Sequence, residues 1–178
     1  MNSKNNKTVS LGKPIMVPWL IPVEHKSTPN CVNEPFMVNG NYYRVTAMSF
    51  GSPHGAVFVD DVDAIDVDTI GSSLGTHCLF PKGASIVFIQ MLDKETLKAR
   101  LWQRNVGEIA FTAEAACVAG VAAIMLQKIL TNKANVHMGD NVFQVEWNRC
   151  VDDVSLTGPL VYRKLKYGIS AAEPADRQ

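Results

Sequence analysis

The apolar and polar positions of this chain change period several times, and each change marks an element. Two runs, NEPFMV and YYRVTAMSF, are rich in β-branched and aromatic residues and flank Asn39-Gly40. That dipeptide supplies positive φ at both centres of a tight turn, so the pattern predicts a hairpin. After GSPHG, read as a turn, AVFVDD predicts a buried strand. Val62, Ile65, Val67, Ile70 and Leu74 then recur at helical spacing and predict a short helix over about 62–75, fraying near Gly71 or Gly75. SIVFIQML and TLKARLWQR return to strand-like alternation, joined by the charged turn DKE.

The stretch from about 112 to 131 differs from all of these, because alanine dominates it and Val118, Val121, Ile124, Met125 and Leu126 spread around its circumference. It predicts a helix buried on nearly every side, swallowed by a sheet. NVHMGDNVFQVEWN and VDDVSLTGPLVYRKLKYG alternate as strands again. Pro14, Pro18, Pro22, Pro29 and Pro35 break the early chain too often for a helix or central strand, predicting an extended segment around the body. The expectation is an α+β fold in one domain over 11–168, with a flexible start (1–10) and a flexible tail (169–178).

Composition narrows the function classes. At 178 residues and 47% hydrophobic, the chain can bury a core without staples. Lys plus Arg and Asp plus Glu balance at 17 each, so no field draws the chain to nucleic acid or anionic lipid. No apolar run nears the ~20 residues that span a bilayer, and nothing at the start reads as a secretion signal, so a cytoplasmic protein is expected. Cys31, Cys78, Cys117 and Cys150 are scattered, which predicts reduced thiols rather than a disulfide framework or zinc site. His25, His77 and His137 lack metal-ligand spacing as well.

Four segments, in order, resemble the C-terminal domain of diaminopimelate epimerases. GSPHGAVFVDD is similar to a G-N-P-H strand start and FPKGASIVF to F-P-x-G-x-N-V-N-F. LWQRNVGE is similar to W-E-R-G-x-G-E, SLTGP follows near the end, and VSLGKP resembles the strand that opens the family's second domain. The resemblance implies a curved, mostly antiparallel β-structure wrapped on a central helix, forming one of two similar halves with the active site in the cleft between them. This chain would supply one wall, as a freestanding second half.

The family, by this resemblance, moves an amino acid's α-proton without a cofactor, using two cysteines that face opposite sides of the α-carbon. A helix N-terminus helps by favouring the thiolate and the substrate carboxylate. Aligning VGEIAFTAEAAC with the family's V-G-E-T-x-A-C-G-T-G-A-C puts Thr112 at the catalytic cysteine and Ala113 at a glycine. Glu114 falls on the hydroxyl residue that helps bind carboxylate, and Cys117 on a non-catalytic cysteine. Ser52 stands at an asparagine, Val87 at a substrate-binding asparagine, and Gln103 at a glutamate that binds the substrate ammonium, whereas His54 and Arg104 match.

A threonine hydroxyl is several pK units more basic than a thiol, so two-thiol racemisation is not expected. Glu114 would occupy or repel the carboxylate site. The altered contacts remove charge-assisted hydrogen bonds of ~1.5 to 3 kcal/mol each, so diaminopimelate itself is not the expected substrate. Thr112 can be a helix N-cap, a proton relay as in dehydratase-like relatives of the proline-racemase branch, or a hydrogen-bond donor to ligand. His54 can bind ligand, act in acid–base chemistry, or be structural. Arg104 can clamp a carboxylate bidentately or pair with Glu108 or another acid at a strand end. Trp102 and the alanine-rich helix read as core.

The function expected is a subunit of a split, cofactor-independent epimerase or isomerase acting at the α-carbon of an amino acid or related carboxylate. Its partner would be a first-half-like chain. The alternatives are a non-catalytic scaffold subunit beside such a partner, or a module that self-associates with a second copy. No cofactor, metal, nucleic acid or membrane is called for.

Overall fold

A computed structural model describes residues 6–24 and 29–161, plus the short backbone strands 164–165, 168–169 and 173–174. His25 and most of the expected tail lie outside the described residues. In chain order the elements are β1 (Lys7–Gly12), β2 (Glu34–Val38), β3 (Asn41–Ser49), β4 (Pro53–Phe58), α1 (Val67–Gly75), β5 (Ser85–Met91), β6 (Thr96–Gln103), β7 (Gly107–Ile109), α2 (Ala113–Met125), β8 (Lys133–Met138), β9 (Asn141–Asn148) and β10 (Asp153–Gly158). These ten strands form one sheet in the order β1-β10-β9-β8-β6-β5-β4-β3-β2, with β7 paired on β6. Neighbours are antiparallel except β4 with β5 and β6 with β8.

The expected hairpin forms, with Asn39 at φ 51° and Gly40 at φ 79° between β2 and β3. The sheet curves until β3 to β6 and β8 to β10 all touch α2. Every residue from Ala115 to Ile124 is buried, which no one-sided stripe could achieve. Small side chains permit that approach: at Gly120 an added Cβ would lie 2.7 Å from Val145 Cβ on β9. Strand β5 is covered on both faces. Val87 and Ile89 face α2, while Ile86 and Phe88 join α1, Phe36, Phe80 and Trp102 in a second core.

Both helices are shorter than their periodicity suggests. Helix α1 begins at Val67 rather than near 62, because the Asp66 side chain caps the Thr69 N–H at 3.1 Å. Upstream, the Arg100 guanidinium takes the Val62 carbonyl at 2.7 Å and the Ile65 carbonyl at 3.3 Å, holding that stretch as a turn. The helix then runs through Gly71 to Gly75 without fraying, since both glycines pack on Trp102. Helix α2 ends at Met125 rather than near 131. Gln127 adopts φ 57° and donates to Ile124 O at 3.1 Å, and Lys128 donates to Ala123 O at 2.9 Å. These two bonds satisfy the last carbonyls and turn the chain out of the helix.

Two further expectations are corrected. Residues 7–10, read as part of a flexible start, belong to edge strand β1, where Ser10 Oγ donates to Asp153 Oδ1 at 2.6 Å and the Thr8 and Thr157 hydroxyls meet at 2.8 Å. Polar side chains suit an edge strand and hide it from a hydrophobic pattern. Pro53 and His54, read as turn residues, open β4 instead. Among the described residues no helix is long and apolar enough to cross a membrane.

Candidate functional site

Chain direction brings four element ends together. Because β4 and β5 run parallel, their starts lie side by side, with His54 paired to Ser85. Strand β6 runs antiparallel to β5, so its last residue, Gln103, arrives at the same end. Helix α2 then starts there at its N-cap, Thr112. Ser52, His54, Ser85, Leu101, Gln103, Thr112 and Glu114 line one open cavity of about 130 Å³. Five of these residues were singled out from the sequence. Ser85 and Leu101 were not, although a serine heading the otherwise apolar run of β5 is a visible polar exception.

His54 is 3% exposed. Its Nδ1 lies 2.9 Å from the Ser52 carbonyl, which can only accept, so Nδ1 carries the hydrogen and Nε2 keeps a lone pair in the neutral ring. Burial lowers its pKa below the usual 6.5, against the smaller opposing pulls of the Ser52 carbonyl and the Glu114 charge. Near neutral pH His54 is therefore an uncharged acceptor.

Thr112 is extended (φ −133°, ψ 161°), and its Oγ1 accepts from the Ala115 N–H at 3.0 Å. That is the N-cap geometry, and it leaves the hydroxyl hydrogen to donate. Glu114 lies in the first turn of α2, where a carboxylate interacts favourably with the helix dipole.

Three predicted positions do not line the cavity. Ala113 is buried in the α2 core at 3% exposure, and Val87 packs in the same core. Arg104 gives its backbone N–H to Ser85 Oγ at 3.1 Å, but its guanidinium turns to the carbonyls of Lys82 and Gly83. In this structure the guanidinium is thus turned to loop carbonyls, and it does not pair with Glu108. Arg100 holds Glu108 bidentately at 2.7 and 2.9 Å.

Among the described residues no cysteine lines the cavity. Cys117 is buried behind it in the α2 core, and burial, then the Glu114 charge, pushes its thiol well above the usual range. Burial likewise pushes Cys31 up to about 11. Cys78 and Cys150 are exposed elsewhere. Among the described residues no three His, Cys, Asp or Glu side chains gather as a metal site. A larger polar groove, about 690 Å³, includes Asp63, Asp68, Lys98, Arg100 and Glu108 but none of the cavity residues. Within it Lys98 pairs with Asp63 at 2.6 Å and Arg100 with Glu108.

The sequence model of the family described as diaminopimelate epimerase matches residues 46–162, a stretch that contains every residue lining the cavity. The chain belongs to the diaminopimelate epimerase family. The diaminopimelate epimerase of Moorella thermoacetica is 36% identical over 153 residues, covering 86% of this chain and 54% of that protein. The one from Oceanobacillus iheyensis is 33% identical over 159 residues, covering 89% and 55%. This chain thus spans about half the length of the curated relatives it matches. A solved hydroxyproline epimerase from Agrobacterium vitis, with bound trans-4-OH-L-proline, superposes with a TM-score of 0.58 at 12% identity. That match covers 93% of this chain and 52% of the other, and it shows a shared fold. At its helix start the cavity of this chain presents a threonine cap, a carboxylate and a neutral histidine.

Proposed function

We propose that this chain forms one wall of a cofactor-independent epimerase- or isomerase-type site acting at the α-carbon of an amino acid or related carboxylate. This wall binds and orients the ligand, while a first-half-like partner supplies the thiolate that takes the proton. One observation carries the reading: the cavity gathers His54, Gln103, Ser52, Ser85 and Glu114 around Thr112, yet no described residue brings a thiol into it. Thr112 Oγ1 is already engaged as a cap acceptor, and a hydroxyl is too basic to replace a thiolate near neutral pH. The Thr112 O–H remains available as a hydrogen-bond donor to the ligand.

The test is α-proton exchange of amino acids in deuterium oxide, followed by NMR, with the chain alone and mixed with a first-half-like protein encoded beside it. Exchange is expected only in the mixture, to survive in Thr112→Ala, and to fall in His54→Gln. Exchange by this chain alone that vanishes in Thr112→Ala would overturn the reading.

A second reading, a non-catalytic scaffold subunit, is favoured by the same engagement of Thr112 as a helix cap. Its signature is a stable complex with no exchange for any amino acid. If the partner is instead a second copy of the chain, sedimentation will show a dimer in the absence of any other protein.

A further inference from the structure

We infer that the cavity at the start of α2 takes the ammonium end of its ligand rather than a carboxylate. This rests on the reading that the cavity is the ligand site. Among the described residues the only formally charged side chain lining it is Glu114, because Arg104 is tied to the Lys82 and Gly83 carbonyls outside it. A helix N-terminus offers roughly half a positive charge, and a first-turn carboxylate sets a full negative one against it. The balance at this helix end is negative.

The hydrogen-bonding inventory agrees. An ammonium group has three donors and no acceptor, whereas a carboxylate has only acceptors. Lining the cavity are the Glu114 carboxylate, Gln103, whose amide oxygen can accept, and His54, whose Nε2 keeps its lone pair. Among the described residues Nε2 has no partner, although His54 is 3% exposed and bonds through Nδ1. No fully enclosed side-chain nitrogen or oxygen among the described residues is left unbonded, so Nε2 opens on the cavity. It is a buried acceptor awaiting a donor. A ligand carboxylate would find only neutral donors there, next to a like charge.

Size limits what enters. A volume of about 130 Å³ corresponds to roughly four waters at ~30 Å³ each, enough for an ammonium and its first carbons. The rest of an amino-acid ligand, its carboxylate included, would extend toward the opposite wall of the cleft.

The experiment titrates the isotope-labelled 178-residue chain with ethylammonium chloride and, separately, with sodium propionate at equal ionic strength. The readout is the amide shifts of Ser52, Thr112 and Glu114. Ethylammonium is expected to saturate these shifts in the millimolar range, about what a ligand of three heavy atoms can reach. Propionate should leave them unmoved. Glu114→Gln should weaken ethylammonium binding by at least about tenfold while preserving the rest of the spectrum. Saturation by propionate at the same amides, failure of ethylammonium to saturate, or an unchanged affinity in Glu114→Gln overturns the inference. Binding is read on this chain alone, so those results leave the partner-dependent exchange assay to judge the enzyme reading separately.

Discussion

Thr112→Ala separates a capping hydroxyl from one held in reserve for chemistry. Thr112 Oγ1 accepts the Ala115 N–H at 3.0 Å, and its removal leaves one of the helix's open donors unsatisfied. Loss of such a cap costs about 1 kcal/mol. Thr112 is half-buried, so its lost methyl adds about 0.4 kcal/mol, half the value of a fully buried CH2. The sum is about 1.4 kcal/mol, a shift of roughly 0.7 M in the urea midpoint at an m-value of ~2 kcal/mol/M. Thr112→Ser keeps the oxygen and should lose only the methyl contribution. Equilibrium urea unfolding of the three proteins, with m unchanged, measures this. If Thr112→Ser is as destabilised as Thr112→Ala, or if neither moves the midpoint, the hydroxyl is not the cap. The case for a binding rather than catalytic threonine would then collapse.

Gly120→Ala, usually stabilising in a helix, should destabilise this protein. The new Cβ would sit 2.7 Å from Val145 Cβ and 2.8 Å from Cγ1, and overpacking of ~1–3 kcal/mol outweighs the propensity gain of up to ~1 kcal/mol. A higher melting temperature would refute the close embrace of α2 by β9. For His54, burial lowers the folded-state pKa, so as pH falls below 6.5 the unfolded chain takes up the proton first and stability declines. The slope can reach about 1.4 kcal/mol per pH unit and flattens once pH passes the folded pKa. Unfolding between about pH 6.5 and 4.5, above the lowered Asp66, Asp93 and Asp152, should show this slope in the native chain and lose it in His54→Gln. Equal slopes in both proteins would contradict the assignment.

Much of the fold was legible because the signals were local. Asn39-Gly40 specifies its own turn, and alternation along 85–91 and 96–103 specifies strands wherever they pack. The alanine run announced a helix with no solvent face. The helix limits were not legible. Val62 and Ile65 fit the helical stripe of α1, but Arg100, from a distant strand, claims their carbonyls. Apolar Leu126 and Ile129 continue the pattern past a stop made by Gln127, a residue with no intrinsic preference for positive φ.

For the site, the sequence named residue types at the right points of the chain: Ser52, His54, Gln103, Thr112 and Glu114. Resemblance to the family motif placed them together before any distance was known. Only the tertiary structure decided which partner holds His54, Arg104 and Thr112. Arg104 and Thr112 are one-dimensional matches to functional positions, yet a side chain takes whichever partner the fold puts within reach. Loop carbonyls reach Arg104 first, and the Ala115 N–H reaches Thr112. Ser85 gains its place because parallel pairing sets it beside His54, a juxtaposition across 31 residues of chain that local pattern does not encode.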